Sequence, residues 1–228
     1  MQGKVKLSKR QIKEDKFTTF MLTAKSEIMS NWQFAVIGVV IMALVVIGVV
    51  YFINSIQSKH QEAAVKFANA ITSYRSGSNQ AAILGLTEVV ENYSGEDLAA
   101  EATFMLGKIN FDTRNYPEAE RYYQQYADKY KTDKLKYAAA LAGVAACQES
   151  QGKYDEAKGK YIEAFDAYPD GPLAGQYDLS ALRMAIKTAD AETAQQRLKS
   201  MEESAVPRDV LNEAKRIFYE AGLTEPPA

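Results

Sequence analysis

Gly152-Lys-Tyr-Asp-Glu-Ala157 and Asn115-Tyr-Pro-Glu-Ala119 are two copies of one pattern. Aligned on Ala157 and Ala119 they stand 38 residues apart, and a tyrosine follows four residues after each alanine, Tyr161 and Tyr123. Small residues precede both, with Leu106-Gly107 and Val144-Ala145 in matching places. A step of 37 back reaches Ala82, followed by Leu86 and Val89; a step of 37 forward reaches Ala194, followed by Leu198 and Met201. Self-similarity at a fixed period is the mark of a repeat architecture. Four units result, at 63–96, 100–133, 138–171 and 175–208. No stretch alternates with period two long enough to need a sheet. Gly77, Gly95, Gly152, Gly171 and Pro172 punctuate helical patterns where turns belong. Pro117 sits in the first turn of a helix, where its missing N–H costs nothing. Residues 207–221 form a last amphipathic helix through Val210, Leu211, Ala214, Ile217 and Phe218, placed to cap the open end of a stack. The fold class is therefore all-α, an α-solenoid of helical hairpins.

The pattern resembles the tetratricopeptide repeat (TPR), which asks for small residues where one helix crosses its mate and large ones around them. The match is fullest in 138–171, with Leu141, Gly152, Tyr154, Ala157, Tyr161, Ala164 and Pro169, good in 100–133 and thinner in the outer two units. Each unit is longer than the usual ~34 residues, so longer helices or loops are expected. The resemblance implies a curved stack whose first helices line a concave groove. Mapped by family position, that groove takes Phe67, Ile71 and Tyr74 from the first unit and Phe104, Lys108 and Phe111 from the second. The third gives Ala142, Ala146 and Glu149, and the fourth Leu179, Arg183 and Ile186. Such a groove receives an amphipathic helix or an extended chain; several of these residues equally suit packing against the neighbouring unit.

Ahead of the repeats, the chain from Trp32 to Ile53 reads WQFAVIGVVIMALVVIGVVYFI, without one charge. As a helix it would reach roughly 33 Å, enough for a bilayer core of about 30 Å. Trp32, Tyr51 and Phe52 lie at its ends, where amphipathic rings favour the membrane–water boundary. Residues 1–31 hold seven basic side chains (Lys4, Lys6, Lys9, Arg10, Lys13, Lys16, Lys25) against three acidic, while 20 basic and 26 acidic residues lie beyond the span. The basic side belongs in the cytoplasm. The expected organisation is a cytoplasmic basic amphipathic arm over 1–30, a single transmembrane helix over 31–54 and a periplasmic TPR-like domain over 55–228. A cleaved signal peptide fits poorly: the charged and apolar regions are long, and Asn54-Ser-Ile-Gln57 is not a small-residue cleavage site. In the arm, Phe17, Phe20, Met21, Ala24 and Ile28 recur at helical spacing, which suits a helix lying on anionic membrane lipid; a loose tether suits the same composition. No Gly or Pro occurs between Tyr51 and Arg75, so the span is expected to run straight into the first repeat helix, with Asn54, Ser55 and Ser58 as its weak points.

Catalytic chemistry finds little footing. His60 is the only histidine and cannot alone build a metal site or a triad. Cys147 is the only cysteine, so no intrachain disulfide forms, and its Ala-rich surroundings suit a small buried hydrophobe. Carboxylate pairs such as Glu202-Glu203, or Glu118 with Glu120, read as solvated helix faces. No glycine-rich phosphate loop occurs. The acidic outer domain argues against nucleic acid. The fourteen tyrosines read mostly as core and groove walls. The expectation is a protein-binding scaffold and not an enzyme, with no cofactor, no metal and no small-molecule substrate.

In order of parts and length, the basic arm, single span and TPR stack resemble the YfgM-like family of ancillary Sec-translocon subunits. That resemblance implies a bacterial inner-membrane protein that binds translocon subunits and a periplasmic chaperone or prolyl isomerase, and assists emerging chains. The same parts also suit a structural scaffold for an envelope assembly, division or secretion complex.

Overall fold

The computed structural model describes residues 20, 32–93, 97–204 and 206–224. Phe20 apart, the expectations for the arm lie outside these residues, as does the turn at Gly95. Among the described residues there are nine helices and no strand: α1 Trp32–Arg75, α2 Asn79–Asn92, α3 Asp97–Asp112, α4 Tyr116–Lys129, α5 Lys134–Ser150, α6 Tyr154–Ala167, α7 Ala174–Lys187, α8 Ala191–Glu203 and α9 Arg208–Glu220. Chain contacts divide the protein into two units, with the boundary between Ser58 and Lys59 inside α1.

In the first unit α1 is apolar all round. Trp32, Phe34, Ile41, Val45, Val50 and Phe52 are each more than half exposed. Among the described residues α1 is the one helix long and apolar enough to cross a membrane. A helix with no polar stripe has no stable face to offer water, whereas lipid suits every side of it. Asn54, Ser55 and Ser58 do not interrupt it.

The second unit is a succession of helical hairpins: the end of α1 with α2, α3 with α4, α5 with α6, and α7 with α8. Each hairpin turns at a residue in the left-handed region. These are Gly77 (φ 83°), Arg114 (φ 62°), Gly152 (φ 79°) and Ala189 (φ 55°), one repeat apart in turn. The residue after each donates its N–H back to the end of the preceding helix: Ser78 to Ser73, Asn115 to Asn110, Lys153 to Gln148 and Asp190 to Ala185, at 2.8–2.9 Å. This turn satisfies carbonyls that the helix end leaves open. Glycine enters it without strain; at Arg114 and Ala189 a Cβ costs about 1 kcal/mol. Five residues beyond each turn lies a fully buried alanine, Ala82, Ala119, Ala157 or Ala194. At the first crossing the helices approach so closely that a Cβ on Gly85 would fall 2.9 Å from that of Ala70.

Close packing continues from one hairpin to the next. A Cβ on Gly107 of α3 would fall 2.7 Å from Cδ1 of Tyr123, and one on Gly143 of α5 would fall 2.7 Å from Cδ2 of the same ring. The Tyr123 ring from α4 is thus wedged between its own partner helix and the first helix of the next hairpin. Phe104 meets it edge-on at 5.5 Å and meets Tyr126 at 5.4 Å. Polar links repeat with the same period. Glu120 accepts from Gln148 and Gln151 of the next hairpin at 3.0 and 2.8 Å. Lys158, one repeat on, donates to Asp190 at 2.7 Å, and Gln195, one repeat further, donates to the Thr224 carbonyl at 2.9 Å. Asp190 also caps α8, accepting from Thr193 N–H at 3.1 Å. The bonds from Lys158 and Thr193 hold its carboxyl down at about 2.

Both ends of the stack are made polar at particular register positions. Leu106 and Ile109, Val144 and Cys147, and Ala181 and Met184 face the preceding hairpin and are buried. The matching residues of α1 are Asn69 and Thr72, both exposed. At the other end α9 finishes in the same left-handed turn, at Gly222 (φ 72°). It carries Lys215 where the other first helices carry Ala70, Gly107, Ala145 and Leu182, and Lys215 pairs with Glu202 of α8 at 2.5 Å.

Two stability tests follow from this packing. Ala189→Gly should raise the unfolding free energy by about 0.5–1 kcal/mol and Gly152→Ala should lower it by about 1 kcal/mol, read as urea midpoint shifts at unchanged slope. Gly143→Ala should cost about 1–3 kcal/mol through overpacking against Tyr123. In the same assay Gly159→Ala, whose Cβ meets nothing within 4 Å, should be neutral or stabilising.

Candidate functional site

The residues mapped to the groove lie on α1, α3, α5 and α7. Phe67, Ile71 and Tyr74 are half-buried against the core that α1 shares with α2, α3 and α4. Phe104 and Phe111 are half-buried on the next core, Phe111 edge-on to Tyr116 at 5.5 Å. Ala142 and Ala146 are also half-buried. The outermost unit departs from the expected groove. Leu179 is only 3% exposed, because α9 leans on α7 and covers it with Val210, Ala214 and Phe218. It offers a ligand almost no surface, and Ile186 packs against the same core.

The polar candidates are better exposed and form two clusters. Tyr74 donates its hydroxyl to Asp112 Oδ2 at 2.5 Å, and Lys108 Nζ donates to the same oxygen at 2.8 Å. Lys108 also stands 5.8 Å from the centroid of the Tyr74 ring. The bond to Asp112 raises the pKa of both Tyr74 and Lys108. Burial pushes the Asp112 carboxyl up, but the bonds from Lys108 and Tyr74 outweigh it and hold the group below its usual range. In the second cluster Glu149 accepts from Tyr161 Oη at 3.1 Å and from Lys187 Nζ at 3.4 Å, while Lys187 lies 4.5 Å from the Tyr154 ring centroid. Arg183 is exposed and makes no ion pair among the described residues. Asp112 and Lys187 were not among the mapped residues. Each stands 38 residues after its partner, Tyr74 or Glu149, one residue past the 37-residue step between those units, so mapping by repeat position reached Phe111 and Ile186 instead.

A cleft of about 560 Å³ lies elsewhere, between α8 and α9, over Leu198 and Phe218 and rimmed by Glu192, Lys199, Glu202 and Glu203. It shares no residue with the first-helix face. A smaller cleft of about 190 Å³ touches Ile186 and Ala189. Cys147 is buried, and burial pushes its thiol up to about 12, so it stays a thiol and a poor nucleophile. The geometry offers hydrogen-bonding charges and aromatic edges along a row of helices, which is the equipment of a surface that binds another protein.

The tetratricopeptide repeat-like domain family matches residues 28–168. The chain belongs to that family. This TPR-like protein is also 29% identical over 126 residues to an ancillary SecYEG translocon subunit of Neisseria gonorrhoeae. The alignment takes in 55% of this chain and 59% of that protein, so the chain spans about three-fifths of its relative's length. Among solved structures, the apo form of RapI superposes with a TM-score of 0.61 at 10% identity, over 72% of this chain and 49% of that one. A Podosopora anserina protein with nearly identical TPR-like repeats of kinesin-light-chain type gives 0.55 at 12% identity, over 71% and 87%. At these identities the two structures speak for the fold alone. The chain is thus a TPR-like protein-binding scaffold related to an ancillary translocon subunit.

Asp112→Asn should change stability by less than about 1 kcal/mol at neutral pH, since the carboxylate is 40% exposed and its ion pair is screened. Because the folded state depresses this carboxyl, its contribution is present above the ordinary value of about 4 and is lost as pH falls through the lower folded value. The gap between wild type and variant, measured by urea unfolding across pH 7 to 3, should therefore close at the acid end.

Proposed function

We propose that this chain is an ancillary, chaperone-like subunit of the Sec translocon in the bacterial inner membrane. Residues 31–54 cross the bilayer once, the arm of 1–30 stays in the cytoplasm against anionic lipid, and the TPR-like domain of 55–228 works in the periplasm. The observation that carries this reading is the 126-residue likeness to an ancillary SecYEG translocon subunit. The apolar length of α1 and the excess of Lys and Arg before it support the anchor and its orientation. The partners are translocon subunits, a periplasmic chaperone and emerging chains, held on the face that carries Phe67, Ile71, Tyr74, Phe104, Lys108, Phe111, Glu149, Arg183 and Ile186. The repeat architecture supports binding without catalysis: it presents a long surface and leaves the chemistry to others.

Affinity purification of the chain from detergent-solubilised membranes should recover translocon subunits in repeated preparations. Their consistent absence, while the chain itself is recovered, would sink the assignment. Protease added to spheroplasts should digest the TPR-like domain and spare the amino-terminal arm; the reverse pattern would overturn the orientation.

A further inference from the structure

The charges on the first-helix face are mostly satisfied by one another. Lys108 and Tyr74 share Asp112, and Lys187 with Tyr161 engages Glu149. Arg183 is the exception. It is exposed, it makes no ion pair among the described residues, and its electrostatic neighbours are Tyr161 and Glu213. Glu213 is already held by Arg216 through two hydrogen bonds of 2.9 and 2.7 Å. Arg183 occupies the repeat position of Lys108, the position whose side chain lies over the tyrosine of the preceding first helix. At that position in the intervening unit stands Ala146, with Ala142 one turn before it, and the carboxylate one turn on, Glu149, already accepts from Tyr161 and Lys187. A free positive charge here runs against the trend of a domain with 20 basic and 26 acidic residues beyond the span.

The apolar part of the face is modest. Phe67, Ile71, Phe104 and Phe111 are all half-buried already, and none ranks with the exposed large apolar side chains. Apolar burial alone therefore gives little selectivity, and complementary charge decides which partner stays. Resting on the protein-binding reading above, we infer that the occupant is an amphipathic helix with acidic residues at the edge of its apolar stripe. Its apolar side lies on the phenylalanines and a carboxylate meets the Arg183 guanidinium, whose planar fork suits a two-bonded carboxylate.

The test uses the full chain in detergent micelles and two fluorescein-labelled synthetic helices. Both peptides carry the same leucine stripe, one flanked by glutamates and the other by lysines. Fluorescence anisotropy is read for wild type, Arg183→Glu and Arg183→Gln, in identical micelles so that detergent binding cancels. The acidic helix should bind wild type about tenfold more tightly than the basic one, the scale of a single charged hydrogen-bonded contact. Arg183→Gln should abolish that preference and Arg183→Glu should reverse it. Circular dichroism on both variants separates loss of contact from loss of fold, and the two substitutions check each other. Equal binding of the two peptides, or a preference that survives both substitutions, overturns the acidic-helix inference and leaves the face as a protein-binding surface. No protein-dependent binding of either peptide overturns both.

Discussion

The stacking of hairpins depends on the Tyr123 ring lying between Gly107 and Gly143. A tyrosine is too large to enter a helix–helix seam unless the helices on both sides give up their side chains, and here each gives up a Cβ that would fall 2.7 Å from the ring. The ring then fills the space with aromatic edge contacts to Phe104, which in turn meets Tyr126. Burial of so much aromatic surface, with edge-to-face geometry, is among the stronger local contributions a helical protein has. The same contact fixes where α5 begins its path across α4, and with it the position of every later first helix. Glu120, three residues before Tyr123, adds polar bonds to Gln148 and Gln151 on the next hairpin, so apolar and polar contacts set one register.

Much of this architecture is legible in the chain because the repeat copies its small residues. Ala82, Ala119, Ala157 and Ala194 mark the crossings, and all four are fully buried. Gly77 and Gly152 mark two of the four left-handed turns. The other two were silent, since Arg114 and Ala189 take the same conformation at a cost and leave no glycine to read. Gly143 was silent for another reason: it lies in mid-helix, where a glycine signals a close neighbour without naming it. The ends were legible only once the register was known. Asn69 and Thr72 look like ordinary helix residues until they are set beside Leu106 and Ile109, which fill the same places inside the stack.

The proposed binding face was less legible than the fold, and the reason lies in α9. In the inner units a first helix packs on its own mate and on the second helix of the hairpin before it. The last helix packs on α7 as well as on α8, and so covers residues that an inner unit would leave open. Leu179 falls under it and joins the core with Phe218. A mapping by repeat position assumes that each unit has the same neighbours, an assumption that fails first at the ends. The polar half of the face suffered less, because Tyr74 with Asp112, and Glu149 with Lys187, join neighbouring first helices at the same offset, one residue past the 37-residue step.

That polar half also constrains what kind of binding the face supports. Exposed ion pairs of this type contribute little to stability, commonly below about 1 kcal/mol each. Their effect is electrostatic shape: Asp112 and Glu149 are each neutralised by a lysine one or two turns away or on the next hairpin. A partner approaching the face meets paired charges that offer small net attraction, then aromatic edges, then Arg183, which makes no ion pair among the described residues. Such a surface favours many weak encounters and discriminates at one point. A broad apolar groove would bind more tightly and let go more slowly. The half-burial of Phe67, Phe104 and Phe111 is therefore a property of the proposed face as well as of the core: the same packing that stiffens the stack limits how much apolar surface these residues offer.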